Sequence, residues 1–80
     1  MSNLIIIFRY CGNSIAVKSK SNEILSDVYK RFASKFGKNV NELTFYYNSM
    51  EVPTCNKTLE QLNLQNFYSF NVVEKGVTGA

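Results

Sequence analysis

Hydrophobic residues near the start of the chain follow the spacing of two paired strands. Residues 4–11, LIIIFRYC, form a β-branched apolar run, and residues 14–20, SIAVKSK, alternate between apolar and polar side chains. The intervening pair, Gly12 and Asn13, favours a tight turn. We therefore predict an antiparallel hairpin at the start of the chain.

The next segment, residues 21–39, has the spacing of an amphipathic helix. Its apolar residues recur every three or four positions, at Leu25, Val28, Phe32 and Phe36. Ser21 or Asn22 can cap the start of this helix, and Gly37 can adopt the left-handed conformation that commonly ends one. The pattern predicts one long helix over about residues 23–36.

The segment FYYNSMEV, residues 45–52, places three consecutive aromatic residues before a turn. Alternate side chains of a strand point to opposite faces, so Phe45 and Tyr47 share one face and Tyr46 lies on the other. Val52 then begins a short return strand. Tyr46 is therefore predicted on the solvent side of the sheet.

A loop with a short helical turn, residues 58–64, and a last alternating strand, residues 67–73, complete the predicted order. The side chains predicted to face the core are Ile5, Ile7, Ile15, Val17, Leu25, Val28, Phe32, Leu43, Phe45, Tyr47, Val52, Leu59, Leu64, Phe70 and Val72. An RNA-recognition motif is the obvious small α+β alternative. That fold needs two long helices and aromatic residues on its central strands, whereas the pattern of this sequence predicts one long helix.

Composition narrows the function classes. The chain has 80 residues and 45% hydrophobic residues, which suits one small globular domain. It contains no histidine, which excludes Ser-His-Asp and Cys-His catalysis and most zinc sites. Glycine-rich nucleotide-binding motifs are also absent from the sequence. We expect no catalytic residue, no metal site and no cofactor, and therefore no enzymatic activity.

Charge and targeting signals suggest an intracellular protein. The formal net charge is +3, from scattered basic residues. Lys18, Lys20 and the helix lysines leave nucleic-acid binding open as the less favoured alternative. The sequence shows no signal-peptide pattern and no apolar run near the roughly 20 residues of a membrane span. We expect a cytoplasmic or nuclear location, no membrane contact, and free thiols at Cys11 and Cys55.

The order and spacing of these elements resemble ubiquitin over about residues 3–79. The segment GNSIAVK is similar to the return strand of the family's first hairpin, and ILSDVYKRFASKFG resembles its helix with the closing glycine. LTFYYNSMEV and KTLEQLNLQN resemble the strands and loop that follow. The resemblance implies an α+β, ubiquitin-like β-grasp fold, with a mixed sheet of four to five strands packed on one α-helix. It implies a domain over residues 1–75 and a flexible tail over residues 76–80.

The resemblance also implies a partner-binding patch on the outside of the sheet. Tyr10, Tyr46 and Val73 match the hydrophobic recognition patch of ubiquitin-like proteins, and the strand order of the fold places Asn71 beside them. Tyrosine suits recognition because it offers a large apolar area, few rotatable bonds and a polar tip. The simpler alternative is that Tyr46 is an ordinary exposed tyrosine on a strand.

The tail leaves two functions open. Ubiquitin-type modifiers end in two glycines; here the matching positions hold Thr78 and Gly79, with Gly76 before them and Ala80 after. The chain is either a protein modifier conjugated through this tail or a non-conjugated interaction module of a larger or tandem precursor. In both cases the expected partners are other proteins, either ubiquitin-like receptors or conjugation and processing machinery. We expect the protein to be a monomer.

Overall fold

A computed structural model describes residues 3–75 of the chain. These residues form five strands, one α-helix and one short 3-10 helix. In chain order the elements are β1 (Asn3–Tyr10), β2 (Asn13–Lys20), α1 (Leu25–Lys35), the 3-10 helix (Val40–Glu42), β3 (Leu43–Tyr47), β4 (Met50–Glu51) and β5 (Tyr68–Glu74).

The five strands form one mixed sheet in the order β2-β1-β5-β3-β4. β1 and β5 run parallel at the centre, and the other neighbouring strands are antiparallel. α1 packs against one side of this sheet, which we call the inner face, and leaves the opposite side, the outer face, open. The predicted α+β class, with one helix on a mixed sheet, is confirmed.

The core between α1 and the inner face is built mainly from aromatic rings. Phe8 stacks on Phe32 of the helix with 4.6 Å between ring centroids, and on Phe70 of β5 at 5.6 Å. Tyr29 stacks on Phe45 at 3.7 Å. All of these rings except Phe45, which is 3% exposed, are fully buried. Rings in contact contribute beyond their buried area, so this cluster fixes how the helix lies on the sheet.

The side chains of β1 point opposite to the prediction. Ile6 and Phe8 are fully buried in the core, whereas Ile5 and Ile7, predicted to be inward, are half-buried on the outer face. The prediction failed because the run LIIIF is apolar at both phases of the strand. A shift of one residue in a strand moves every side chain to the other face.

The first turn sets which residues of β1 and β2 lie opposite each other. The turn is Cys11–Gly12, one residue earlier than predicted, and Tyr10 pairs with Asn13 across it. Cys11 and Gly12 have φ angles of 52° and 80°, as a two-residue hairpin turn of the type I′ class requires. This register places Ile6 opposite Val17 on the inner face, and Tyr10 shares that face because it lies four residues along the same strand.

The start of α1 also differs from the prediction. Its N-cap is Ile24, which provides no side-chain hydrogen bond, so the predicted capping by Ser21 or Asn22 is wrong. Instead, Glu23 is paired with Arg31, eight residues later in the chain, with 2.7 Å between Oε2 and Nη1. The Arg31 guanidinium lowers the pKa of the Glu23 carboxyl. A charged pair therefore fixes the chain where it enters the helix.

Two further local features can be compared with the sequence predictions. Gly37 has a φ angle of 63° and donates its N–H to Ser34, which confirms the predicted left-handed end of the helix. The return strand β4 begins at Met50 rather than Val52. Val52 lies just after it, where its N–H still donates to the carbonyl of Phe45 at 2.8 Å.

Both cysteines lie within the described residues, and each is a free thiol. Cys11 is exposed in the first turn, and Cys55 is half-buried in the long loop before β5. Within residues 3–75, no helix is both long and apolar enough to cross a membrane. The same residues contain no group of three or more acidic or cysteine side chains placed to hold a metal ion.

Candidate functional site

The outer face of the sheet carries the residues that the sequence singled out. Strand pairing aligns one residue from each strand in a single row across this face. In the order of the strands the row contains Ser14, Arg9, Asn71, Tyr46 and Glu51. Neighbouring strands lie about 4.8 Å apart, so the row spans about 19 Å. We call it the central row.

Three of the four predicted patch residues lie together around this row. Tyr46 is directly opposite Asn71, and Val73, two residues along the same strand, is opposite Thr44. Val73 is 51% exposed, Asn71 is exposed, and Tyr46 is half-buried. The strands β3 and β5 thus place an aromatic and an aliphatic side chain near each other on a surface that the helix does not cover.

Tyr10 does not join them, and its predicted position on the outer face is wrong. It is only 6% exposed and lies on the inner face, edge-on to Phe32 at 5.8 Å and to Phe36 at 5.1 Å. The cause is the phase of β1, because Tyr10 shares the face of Ile6. Tyr10 was expected beside Asn71 on the outer face, but the residue of β1 in that position is Arg9.

Tyr10 instead helps to hold the end of β5. Its hydroxyl donates a hydrogen bond to Glu74, whose carboxylate also pairs with Lys38 at 3.3 Å. The hydrogen bond to Glu74, together with burial, raises the pKa of the Tyr10 hydroxyl. The same hydrogen bond, and then Lys38, lower the pKa of Glu74. The inner face therefore anchors the strand whose other side carries Val73.

The structure adds two aliphatic residues to the outer face that the sequence analysis assigned to the core. Ile5 and Ile7 lie on this face of β1, opposite Lys18 and Ala16 of β2. The sequence held one signal for this arrangement. Arg9 is the polar residue within the run LIIIFRY, and it has the same phase as both isoleucines. A charged residue normally marks the wet side of a strand.

The charges on this face are mostly positive near β1 and β2. Arg9, Lys18 and Lys20 all lie on this side of the sheet, and none of them is in an ion pair within residues 3–75. The carboxylate of the central row is Glu51, at the far edge on β4. The predicted tail residues Gly76, Thr78 and Gly79 fall outside the described part of the chain.

Comparison with known proteins gives a structural match. No family model matches the chain, and no curated protein matches it by sequence. The chain is similar to the solution NMR structure of the ubiquitin-like domain of an Arabidopsis thaliana protein, with a TM-score of 0.82 and 14% sequence identity. The match covers 100% of this chain and 85% of the other. Together with the mixed sheet on one helix, this similarity shows that the chain has the ubiquitin-like β-grasp fold.

Proposed function

We propose that the protein is a ubiquitin-like protein-binding domain that contacts its partners through the outer face of its sheet. The observation that carries this proposal is the set of apolar side chains on a face that no other element within residues 3–75 covers. The wet side of such a sheet is normally polar, yet here Ile7, Tyr46 and Val73 lie on it.

The residues around Tyr46 suit the centre of an interface. Aromatic residues near the middle of an interface, surrounded by contacts that exclude water, contribute most of the binding energy in many complexes. Tyr46 lies within the central row and has Asn71 beside it to offer polar contacts. Arg9, on the other side of Asn71, adds a side chain type that is enriched at interfaces.

The test is the replacement of Tyr46 by alanine. We expect Tyr46→Ala to weaken partner binding by about 1–2 kcal/mol, the range of an aromatic anchor, with little loss of stability because the side chain is half-buried on the outer face. Proteins captured from cell extract by the immobilised parent would be identified by mass spectrometry. The affinity of each purified candidate would then be measured by calorimetry against both variants.

Lys30→Ala provides the matched control. Lys30 is exposed on the helix, on the opposite side of the molecule, so its loss should change binding by less than about 0.5 kcal/mol. Equal effects of the two substitutions on every captured protein would contradict the proposal.

Conjugation through the tail is the second candidate function. The glycines near the end of the sequence, Gly76 and Gly79, favour it. A modifier needs the carboxyl group of its last glycine to be activated and passed to a thiol and then to an amine. Thr78 places a β-branched side chain beside Gly79, where the ubiquitin pattern keeps glycine. This side chain should crowd an enzyme channel shaped for glycine.

We therefore expect a form ending at Gly79 to be charged poorly or not at all by ordinary ubiquitin-activating enzyme. The measurement is incubation with the enzyme and ATP, followed by a non-reducing gel. Thr78→Gly in the same form is the control, and it should restore some of the thioester. A thiol-sensitive adduct formed by the Thr78 form at the normal rate would contradict this expectation and favour the modifier function.

A further inference from the structure

Phe67 is an exposed aromatic residue in an unfavourable backbone conformation. It is 64% exposed and has a φ angle of 64°, a region that bulky residues rarely occupy. The other non-glycine residues at such angles within residues 3–75 are Cys11, Asn48, Ser49 and Asn63, all of which have smaller side chains. Neither the backbone nor core packing accounts for a phenylalanine here. Strain of this kind is concentrated at functional sites.

Two hydrogen bonds hold Phe67 beside the first strand. Its N–H donates to the carbonyl of Ile5 at 2.7 Å, and the Ile5 N–H donates to Oδ1 of Asn66 at 2.8 Å. Both backbone groups of Ile5, its N–H and its carbonyl, are therefore hydrogen-bonded to the two residues that precede β5. This arrangement fixes the backbone of Phe67 beside Ile5, at the end of β5 nearest to that residue.

Ile7, half-buried on the same face as Ile5, has small residues on both sides. Ile7 has Ala16 on one side, across β2, and Ser69 on the other, across β5. Neither neighbour is large enough to cover an isoleucine side chain. Ile5, Ile7 and Phe67 thus make an apolar area towards the β1–β2 side of the sheet, which we call the β1 patch.

The rim of the β1 patch is positively charged. Lys18 is opposite Ile5, and Arg9 follows Ile7 on the same face. The nearby carboxylate of Glu23 is already paired with Arg31 at 2.7 Å. A partner that covers the apolar centre would therefore gain most from carboxylates placed around its own apolar side chains.

From this geometry we infer that the β1 patch binds an apolar protein segment flanked by acidic residues. The inference rests on the proposed function and deepens it, because it names the partner's chemistry and adds a contact area beyond Tyr46. A second copy of the chain fits poorly, since both copies would bring the same cationic rim to the contact. Nucleic acid fits less well, because Phe67 is the one ring of the patch that can stack on a base, and Ile5 and Ile7 offer neither stacking nor hydrogen bonds.

The test is an NMR titration of the full 80-residue chain with two designed peptides. One is amphipathic, with leucines along one helical face and glutamates on both sides of it, and the other carries lysine at every glutamate position. We expect the glutamate peptide to shift the amide signals of Ile5, Ile7, Ala16 and Phe67. The lysine peptide should bind at least about fivefold more weakly, because it meets like charges.

Phe67→Gly separates binding from folding. Glycine adopts a positive φ without strain, so the melting temperature should stay at or above that of the parent. Affinity for the glutamate peptide should nevertheless fall about fivefold or more, as for the loss of an aromatic anchor. Lys30→Ala, on the far side of the molecule, should leave the affinity within about twofold.

The other outcomes are distinguishable. Shifts at Tyr46 and Val73 that persist in Phe67→Gly and vanish in Tyr46→Ala would overturn the β1 patch and leave the proposed function intact. No shift at any outer-face residue with millimolar peptide would count against both. Stronger binding of a short oligouridylate than of the glutamate peptide, with a steep loss in salt, would overturn the inference in favour of nucleic acid.

Discussion

Replacing Phe32 with alanine should lower the free energy of unfolding by about 3–5 kcal/mol, the usual cost of removing a buried phenylalanine. Phe32 is fully buried and contacts the rings of Phe8, Tyr10, Phe36 and Phe45. Small domains have a total stability of only about 5–15 kcal/mol, so this variant should lose much of its stability. Urea unfolding followed by circular dichroism measures the change.

Phe67→Ala is the matched control for that experiment. It makes the same chemical change at a side chain that is 64% exposed, and we expect a loss below about 1 kcal/mol. Similar losses for the two phenylalanines, or a Phe32→Ala variant as stable as the parent, would show that the helix does not present Phe32 to the sheet.

The second large effect concerns the orientation of β1. Ile6→Ala should cost about 2–5 kcal/mol because Ile6 is fully buried in the core. Ile7→Ala should cost about 1 kcal/mol or less because Ile7 is half-buried on the outer face. The same unfolding measurement compares them, and each residue is the control for the other. The reverse order would mean that β1 has the originally predicted phase.

Much of the fold was predictable because its amphipathic elements show clear periods. In β2 the alternation of Val17 with Lys18 gave the correct inner and outer faces, and in β3 Phe45 and Tyr46 did the same. The glycine at the end of the helix was correct because few residues other than glycine adopt a positive φ easily.

The orientation of β1 was not predictable from alternation, because a central strand with apolar residues on both faces has no period of two. The pairing with β2 decides the phase. A two-residue turn at either Cys11–Gly12 or Gly12–Asn13 pairs even-numbered residues of β1 with odd-numbered residues of β2, so Ile6 shares the face of Val17 in both cases. The sequence prediction put Ile5 and Ile7 on the face of Val17 against this constraint, and it therefore placed Tyr10 on the outer face and the two isoleucines in the core.

Phe67 was missed for a different reason. Its position looked like the first residue of an alternating strand, and nothing local indicates a left-handed backbone at a phenylalanine. That conformation depends on the hydrogen bonds that the preceding loop makes to Ile5, which are contacts across the whole chain. Tertiary contacts of this kind override local preference.

The claim that the outer face binds partners is tested most directly by site-specific photo-crosslinking in cells. A benzophenone amino acid at Tyr46 replaces one aromatic side chain by another on the outer face, and the same probe at Lys30 reports on the helix side. We predict discrete crosslinked protein adducts from position 46 and only background from position 30. Adducts from position 30 with none from position 46 would contradict the account.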